Sequence, residues 1–174
     1  MISRLAYRSR QFWNSLFSSR KRIASESLLP HLTPVQLILF RRMQPSEQAH
    51  AYHLLNQLKN SGQTNPDLLT AALLHDVGKI LYPLSTLDRI ITVLGKRFFR
   101  SVAQGWSNGA PNGLRRPFVV AEQHAGWGAQ LASQAGAGLQ TVELIRHHHD
   151  PPKVDPGMRT DPLLVALQAA DDQS

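Results

Sequence analysis

The residues best suited to chemistry are His75 and Asp76, an imidazole and a carboxylate side by side at the end of an apolar stretch, followed by Gly78 and Lys79. Neighbouring residues of an α-helix point about 100° apart, so these two side chains can share a target only near a helix end or in a crowded cleft. An aspartate is costly in an apolar segment unless a metal ion or a dense hydrogen-bond network holds it. The pair therefore indicates a candidate metal or polar site.

The chain contains further potential metal ligands, but none with sulfur. It has no cysteine, which excludes a thiolate metal site and a disulfide framework. A set of imidazoles and carboxylates suits Fe, Mn, Co or Ni with open coordination positions better than Zn. We therefore expect one or two divalent transition metal ions held by nitrogen and oxygen. The candidate residues outside the pair are His50, His124, the run 147–149 and Asp171.

In this order, the residues resemble the HD superfamily of metal-dependent phosphohydrolases. The family pattern is a histidine on one helix, a His-Asp pair on the next and an aspartate on a late helix. The resemblance implies that one metal ion is bound by His50, His75, Asp76 and Asp171.

A subset of the family binds a second ion through two more histidines, and His124 and His148 match those positions. In that subset Asp76 would bridge the two ions together with a hydroxide derived from water, which would attack phosphorus. Gly126 and Gly128 are interpreted as a turn near His124.

At three positions a neighbouring residue is an alternative candidate for the metal ligand. His53 lies three residues after His50, and Asp172 follows Asp171; the family pattern favours His50 and Asp171. Of the three consecutive histidines 147–149, at most one or two can face inward from a helix, and the others are expected to be solvated or to face the substrate.

Three cations are candidates for binding a phosphorylated substrate. Lys79, just after the pair, is expected to contact a phosphate oxygen or the leaving group and is assigned a catalytic role with Asp76. Arg115 and Arg116 are weaker candidates for the substrate phosphate.

The resemblance also limits the substrate. Cyclic-di-GMP phosphodiesterases of the superfamily carry a Gly-Tyr-Pro motif, but residues 150–154 here read Asp-Pro-Pro-Lys-Val, which disfavours that substrate. Alarmone hydrolases of the superfamily carry a Glu-Asp pair after the His-Asp helix. Residues 80–90 here hold only Asp88 as an acid, which disfavours that activity. The six-ligand pattern is more similar to bacterial HD-type dinucleoside tetraphosphate hydrolases and small nucleotide phosphatases. The expected activity is hydrolysis of a small nucleotide or phosphorylated metabolite. The alternative is a non-catalytic module that senses a nucleotide or metal, and a nucleic-acid adaptor is the weakest hypothesis.

Length and charge predict one domain with a basic N-terminal segment. The 174 residues are 42% hydrophobic, enough for one substantial core, and we place the HD domain at residues 33–174. Residues 1–25 carry six of the 19 basic residues and no acid, which leaves 13 basic against 12 acidic residues elsewhere. The segment is predicted to form a basic amphipathic helix. This helix either packs on the domain or contacts an anionic membrane through residues 1–22. With no secretory signal and no apolar run of membrane-spanning length, the expected location is the cytoplasm.

The local signals are helical throughout, so the predicted fold is an all-α, compact multi-helix bundle. Caps and apolar spacing predict seven helices, one of which ends near Gly78, and residues 105–117, rich in Gly, Asn and Pro, are predicted to form a loop. The helices are predicted at 33–43, 46–59, 65–76, 84–103, 118–135, 139–149 and 161–171.

Overall fold

A computed structural model describes residues 23–98, 105–106, 109–150 and 161–173, apart from the side chains at positions 89, 93 and 96–98. Within these ranges there is no β-strand, and the all-α prediction is confirmed. The predicted basic helix lies outside the described residues except for its last three positions. The α-helices are α1 (Pro34–Arg41), α2 (Pro45–Asn60), α3 (Pro66–Leu74), α4 (Thr86–Phe98), α5 (Arg116–Gln134), α6 (Leu139–His147) and α7 (Pro162–Asp171), with 3-10 helices at Ser25–Ser27, Val77–Leu81 and Gly113–Arg115.

Most helix starts follow from side-chain caps visible in the sequence. Thr33 accepts a hydrogen bond from the amide of Gln36 at 3.3 Å, and the Gln36 side chain accepts one from the amide of Thr33 at 3.0 Å. Asn65 caps α3 and Asp161 caps α7 in the same manner. Each cap satisfies an amide that the first helical turn leaves without a partner.

Several predicted boundaries were wrong. Helix α2 starts at Pro45, ahead of Ser46, because the side chain of Glu47 accepts a hydrogen bond from the amide of Gln44 at 3.1 Å and closes the turn one residue earlier. The predicted loop at 105–117 is partly helical, since residues 105–106 are helical and α5 already begins at Arg116.

Helix α3 ends before the predicted end at Asp76. It ends at Leu74, and the chain tightens into the 3-10 helix Val77–Leu81. Asp76, with φ −92° and ψ 2°, lies at the junction, so its side chain leaves the regular helical progression. Because the backbone changes direction here, the adjacent side chains of His75 and Asp76 can point into the same buried space.

The core lies between α2, α3, α5, α6 and α7. Helix α3 packs on α2, α6 and α7, and α5 packs on α4, α6 and the 3-10 helix Val77–Leu81. The side chains buried most deeply include Phe40, Leu54, Leu55, Leu68, Leu73, Leu74, Leu144, Ile145 and Leu167. Among the helices described, none combines the length and apolarity that a membrane crossing needs.

The 3-10 helix approaches α5 backbone to backbone at Gly78. A Cβ atom at Gly78 would lie 2.7 Å from the amide nitrogen of Gly128 and closer still to the carbonyl oxygen of His124. Gly126 and Gly128 lie inside α5, so the turn that we predicted from them is wrong. Gly128 instead allows close packing, because a Cβ atom there would lie 3.2 Å from the amide nitrogen of Gly78.

Candidate metal centre

The side chains of His75 and Asp76 both face one buried centre. His75 is 1% exposed and Asp76 5% exposed, and the His75 Nε2 atom lies 3.6 Å from Asp76 Oδ2. Two further groups of residues converge on this pair, one on each side.

The first set is His50, His75 and Asp171. These residues come from α2, the end of α3 and the end of α7. Asp171 Oδ1 lies 3.0 Å from His50 Nε2 and 3.8 Å from His75 Nε2. One ligand atom from each residue lies within 4.8 Å of the others, a spacing at which all three could bind one cation.

The second set is Asp76, His124, His148 and His149, whose ligand atoms also lie within 4.8 Å of one another. His124 comes from α5, and the two histidines follow α6. His124 Nε2 lies 3.2 Å from Asp76 Oδ1. The rings of His75 and His148 are 5.1 Å apart, so the two sets adjoin.

Backbone hydrogen bonds fix the orientation of three imidazoles. The Nδ1 atoms of His75, His124 and His148 donate to the carbonyl oxygens of residues 72, 120 and 145 at 3.0, 2.9 and 2.7 Å. A carbonyl can only accept, so each Nδ1 carries a proton and each ring turns its Nε2 atom toward the centre. This outer hydrogen bond is the arrangement that orients metal-ligating histidines.

Those three Nε2 atoms are buried and make no hydrogen bond. The Nε2 atom of His124 instead faces a carboxylate oxygen of Asp76. Buried polar atoms without partners cost free energy, and clustered acceptors repel one another. A divalent cation would satisfy all of them at once, so the residues present fit a metal ion.

Burial keeps most of these imidazoles neutral, the form that binds a metal. Burial lowers the pKa of His75, lowers that of His148 well below its ordinary value and lowers that of His149 to about 4. His50 differs: burial acts to lower its pKa, but the hydrogen bond that its ring donates to Asp171 and the nearby carboxylates raise it overall.

The two carboxylates stay ionised. Burial alone would raise the pKa of Asp76, but the Lys79 ammonium holds it well below its usual range. Burial is likewise outweighed at Asp171, where the hydrogen bond with His50 lowers the pKa. At neutral pH the centre therefore presents two anionic ligands and several neutral ones.

We expect the metal-free protein to lose stability on acidification from about pH 7 to about pH 5. His75, His148 and His149 have lowered folded pKa values, so below the unfolded value of about 6.5 the unfolded chain binds more protons and becomes favoured. His50 acts in the opposite sense, because its raised pKa adds stability below about 6.5. Each group changes the free energy of unfolding by at most about 1.4 kcal/mol per pH unit.

Urea unfolding of chelator-treated protein across this pH range measures the effect, and His148→Asn should give a shallower profile. Stability that is flat or that rises toward pH 5 would contradict the assignment of neutral buried imidazoles.

The three consecutive histidines at positions 147–149 do not all face the centre. His147 turns away from the centre and contacts Asp150 Oδ2 at 2.7 Å and Glu143 Oε2 at 3.2 Å. His148 faces the centre, as predicted, and His149 joins the same set. The sequence reasoning missed His149 because α6 ends at His147, so the helical spacing that limited how many could face inward does not apply beyond it.

We expect His148→Ala to lower the metal content by about one ion per chain and His147→Ala to leave it unchanged. The two positions are adjacent, so the pair controls for local sequence and for helix propensity. Elemental analysis of the purified variants is the measurement. An equal loss of metal in both variants would mean that these histidines affect metal content through folding and not as ligands.

The remaining candidates lie apart from the two sets. His53 is exposed on α2 and Asp172 is exposed beyond α7. Arg116 donates to the carbonyl oxygen of Pro83 at 2.7 Å, and Arg115 is exposed at the end of a 3-10 helix. Substrate binding by either arginine stays a prediction.

Lys79 lies at the edge of the centre. Its Nζ atom contacts Asp76 Oδ2 at 2.6 Å, and its side chain is 22% exposed. The ammonium group therefore touches a central carboxylate and remains accessible from solvent.

Comparison with known proteins gives one match. The family model described as HD domain matches residues 48–173. No curated protein and no solved structure matches the chain closely enough to count as a relative.

Proposed function

Because the chain belongs to the HD-domain family, we propose that it is a metal-dependent phosphohydrolase that cleaves a phosphoester or phosphoanhydride of a small nucleotide or phosphorylated metabolite. The observation that carries the proposal is the convergence of three unpartnered, buried Nε2 atoms on two ionised carboxylates. A protein that used this fold only as a scaffold would gain stability by replacing such groups with apolar ones.

The ligands support two adjacent metal sites. Asp76 turns Oδ1 toward His124 at 3.2 Å and Oδ2 toward His75 at 3.6 Å, so its carboxylate lies between the sets. A carboxylate placed in this way could be shared by two ions, which supports the proposal that His50, His75 and Asp171 would hold one ion and His124 and His148 another. His149 adds a ligand to the second set. The nitrogen and oxygen donors favour Fe, Mn, Co or Ni over Zn.

Divalent cations held here would lower the pKa of a water molecule and offset the negative charge of a phosphate group. The protein's own contribution is to hold the neutral imidazoles in fixed tautomers and to keep the carboxylates ionised. Burial of His75, His124 and His148 excludes bulk water from the inner side of the centre. A phosphate group would approach from the side of Lys79, the exposed edge.

Lys79 is proposed as the substrate-binding cation of this edge. In the structure its ammonium neutralises part of the Asp76 charge. With divalent cations bound to Asp76, the ammonium would be freed to donate to a phosphate oxygen or to the leaving group. Arg115 and Arg116 are proposed to add positive charge for longer phosphate chains.

We expect Lys79→Gln to reduce kcat/KM by about 10²-fold, the usual cost of losing one donor that stabilises developing negative charge. Metal content should stay the same or rise, because the ammonium no longer competes for Asp76 Oδ2. Kinetics and elemental analysis of the same preparation test this, with Lys59→Gln, an exposed lysine of α2, as the matched control. A parallel loss of metal and activity would assign Lys79 to the metal site alone.

The function itself is tested by combining metal analysis with a substrate panel. Protein purified without chelator should contain at least one transition metal ion per chain and should hydrolyse at least one class among nucleoside monophosphates, dinucleoside polyphosphates and sugar phosphates. Chelation should abolish the activity and Mn²⁺ or Fe²⁺ should restore it. Metal-loaded protein that binds nucleotides without hydrolysing any phosphate compound would reject the enzyme in favour of a sensing module.

A further inference from the structure

Two aromatic side chains form a pair that is open to solvent. Tyr82 and Trp127 have ring centroids 5.1 Å apart and planes tilted by 47°. Tyr82 is 37% exposed and Trp127 is partly exposed, so the pair is not part of the buried core. Each ring belongs to a residue that follows a member of the centre by three positions, Tyr82 after Lys79 and Trp127 after His124.

The backbone places Tyr82 beside the substrate edge. Residues three apart in a 3-10 helix eclipse one another, and the 2.6 Å contact between Asp76 and Lys79 follows from this spacing. The amide of Tyr82 donates to the carbonyl oxygen of Lys79 at 3.2 Å, which continues the same turn. Tyr82 therefore directly follows the 3-10 helix that carries Lys79, at the solvent-exposed end of a segment that begins at the buried Asp76.

The geometry of α5 places Trp127 beside the same centre. Residues three apart on an α-helix are surface neighbours, and side chains tilt toward the helix N-terminus. The indole of Trp127 therefore lies toward the turn that carries His124. The 3-10 helix and α5 thus bring the rings of Tyr82 and Trp127 together beside the candidate metal centre. On this side of the centre the Lys79 side chain reaches solvent.

We propose that Tyr82 and Trp127 form an aromatic wall that stacks the base of a nucleotide whose phosphate lies at the metal centre. The proposal rests on the phosphohydrolase function and narrows its substrate to compounds with a planar ring near the phosphate. Aromatic faces stack on any nucleobase, and tilted, part-exposed rings leave such a face accessible. Arg116, held on the carbonyl oxygen of the adjacent Pro83, adds positive charge beside the wall.

A packing role for the pair makes a different prediction from a stacking role. If the rings only stabilise the fold, removing one lowers stability and affects all phosphate ligands alike. If they stack a base, removing one weakens binding only of ligands that have a base. The comparison between two ligands that differ in the base alone therefore distinguishes the two roles, whatever the change in stability.

The experiment measures the binding of AMP and of ribose 5-phosphate to the metal-loaded full chain by rapid filtration. AMP should bind at least about fivefold more tightly, the factor that corresponds to one stacked base. Tyr82→Leu and Trp127→Leu should each bring the two dissociation constants close together. Tyr82→Phe keeps the ring and should keep the difference. Trp106→Leu removes one ring of a second aromatic pair, with Phe118, and is the matched control.

Equal binding of the two ligands by the unaltered protein, binding of neither, or a difference that survives both leucine variants would overturn the aromatic wall. Hydrolysis is measured on the same samples. Turnover without a preference for AMP rejects the wall and leaves the phosphohydrolase, whereas a base-dependent affinity without turnover of any phosphate compound retains the wall and rejects the enzyme.

Discussion

Replacing Asp76 with asparagine should remove most of the bound metal and reduce kcat/KM by more than the roughly 10- to 100-fold cost of losing a residue that only orients a ligand. The carboxylate lies between the two ligand sets, so the variant removes one anionic ligand from both at once. Asparagine keeps the shape and a neutral oxygen, which separates loss of charge from loss of packing. Elemental analysis and steady-state kinetics of the same preparation provide the measurement.

The matched controls for this variant are two neighbouring acids. Asp171→Asn should weaken only the set that contains His50 and His75, and Asp172→Asn should leave metal content and activity unchanged, because Asp172 is exposed beyond the end of α7. An Asp76→Asn protein that retains its full metal content and activity would show that the carboxylate is not a shared ligand. Circular dichroism should find all three variants folded.

Replacing Gly78 with alanine should destabilise the fold by about 3 kcal/mol or more, at the upper end of what an added methyl group costs in a tight contact. The added Cβ would meet backbone atoms of His124 and Gly128, which cannot rotate away as a flexible side chain could. The 3-10 helix must therefore move away from α5. Because Asp76 precedes this contact and His124 belongs to it, the same movement should separate the ligands of the second set and lower the metal affinity.

Gly126→Ala is the control for this prediction. It adds the same methyl group to α5 at a position with nothing within 4 Å, so the free energy of unfolding should stay the same or rise by about 0.5–1 kcal/mol through better helix propensity. Denaturant unfolding of both variants gives the comparison. Similar stability of the two alanine variants would argue against the close backbone approach.

The helices could be predicted from the sequence to within a few residues because caps and prolines act locally. Thr33 and Asn65 mark the starts of α1 and α3 through contacts within three residues. The end of α3 was not predictable in this way, since the change to a 3-10 helix after Leu74 depends on packing against α5. The turn predicted from Gly128 was wrong for the same reason, because the missing side chain allows close packing against Gly78, which is distant in sequence, and does not form a local turn.

The grouping of residues at the centre was predictable in part. The family pattern brought together six residues that the structure places in two adjoining sets, although no spacing in the sequence indicates which of them share an ion. His149 was missed because its position depends on where α6 ends. The tautomers of His75, His124 and His148 could not be predicted, because they are set by carbonyl groups that become available only at helix ends or in the preceding turn.

The contact between His50 and Asp171 joins residues 121 positions apart in the chain. During synthesis the chain lacks this half of the centre until α7 has been made and has packed on α2. The first set is therefore complete only after α7 has packed on α2, and a chain truncated before Asp171 would keep only two of its three residues.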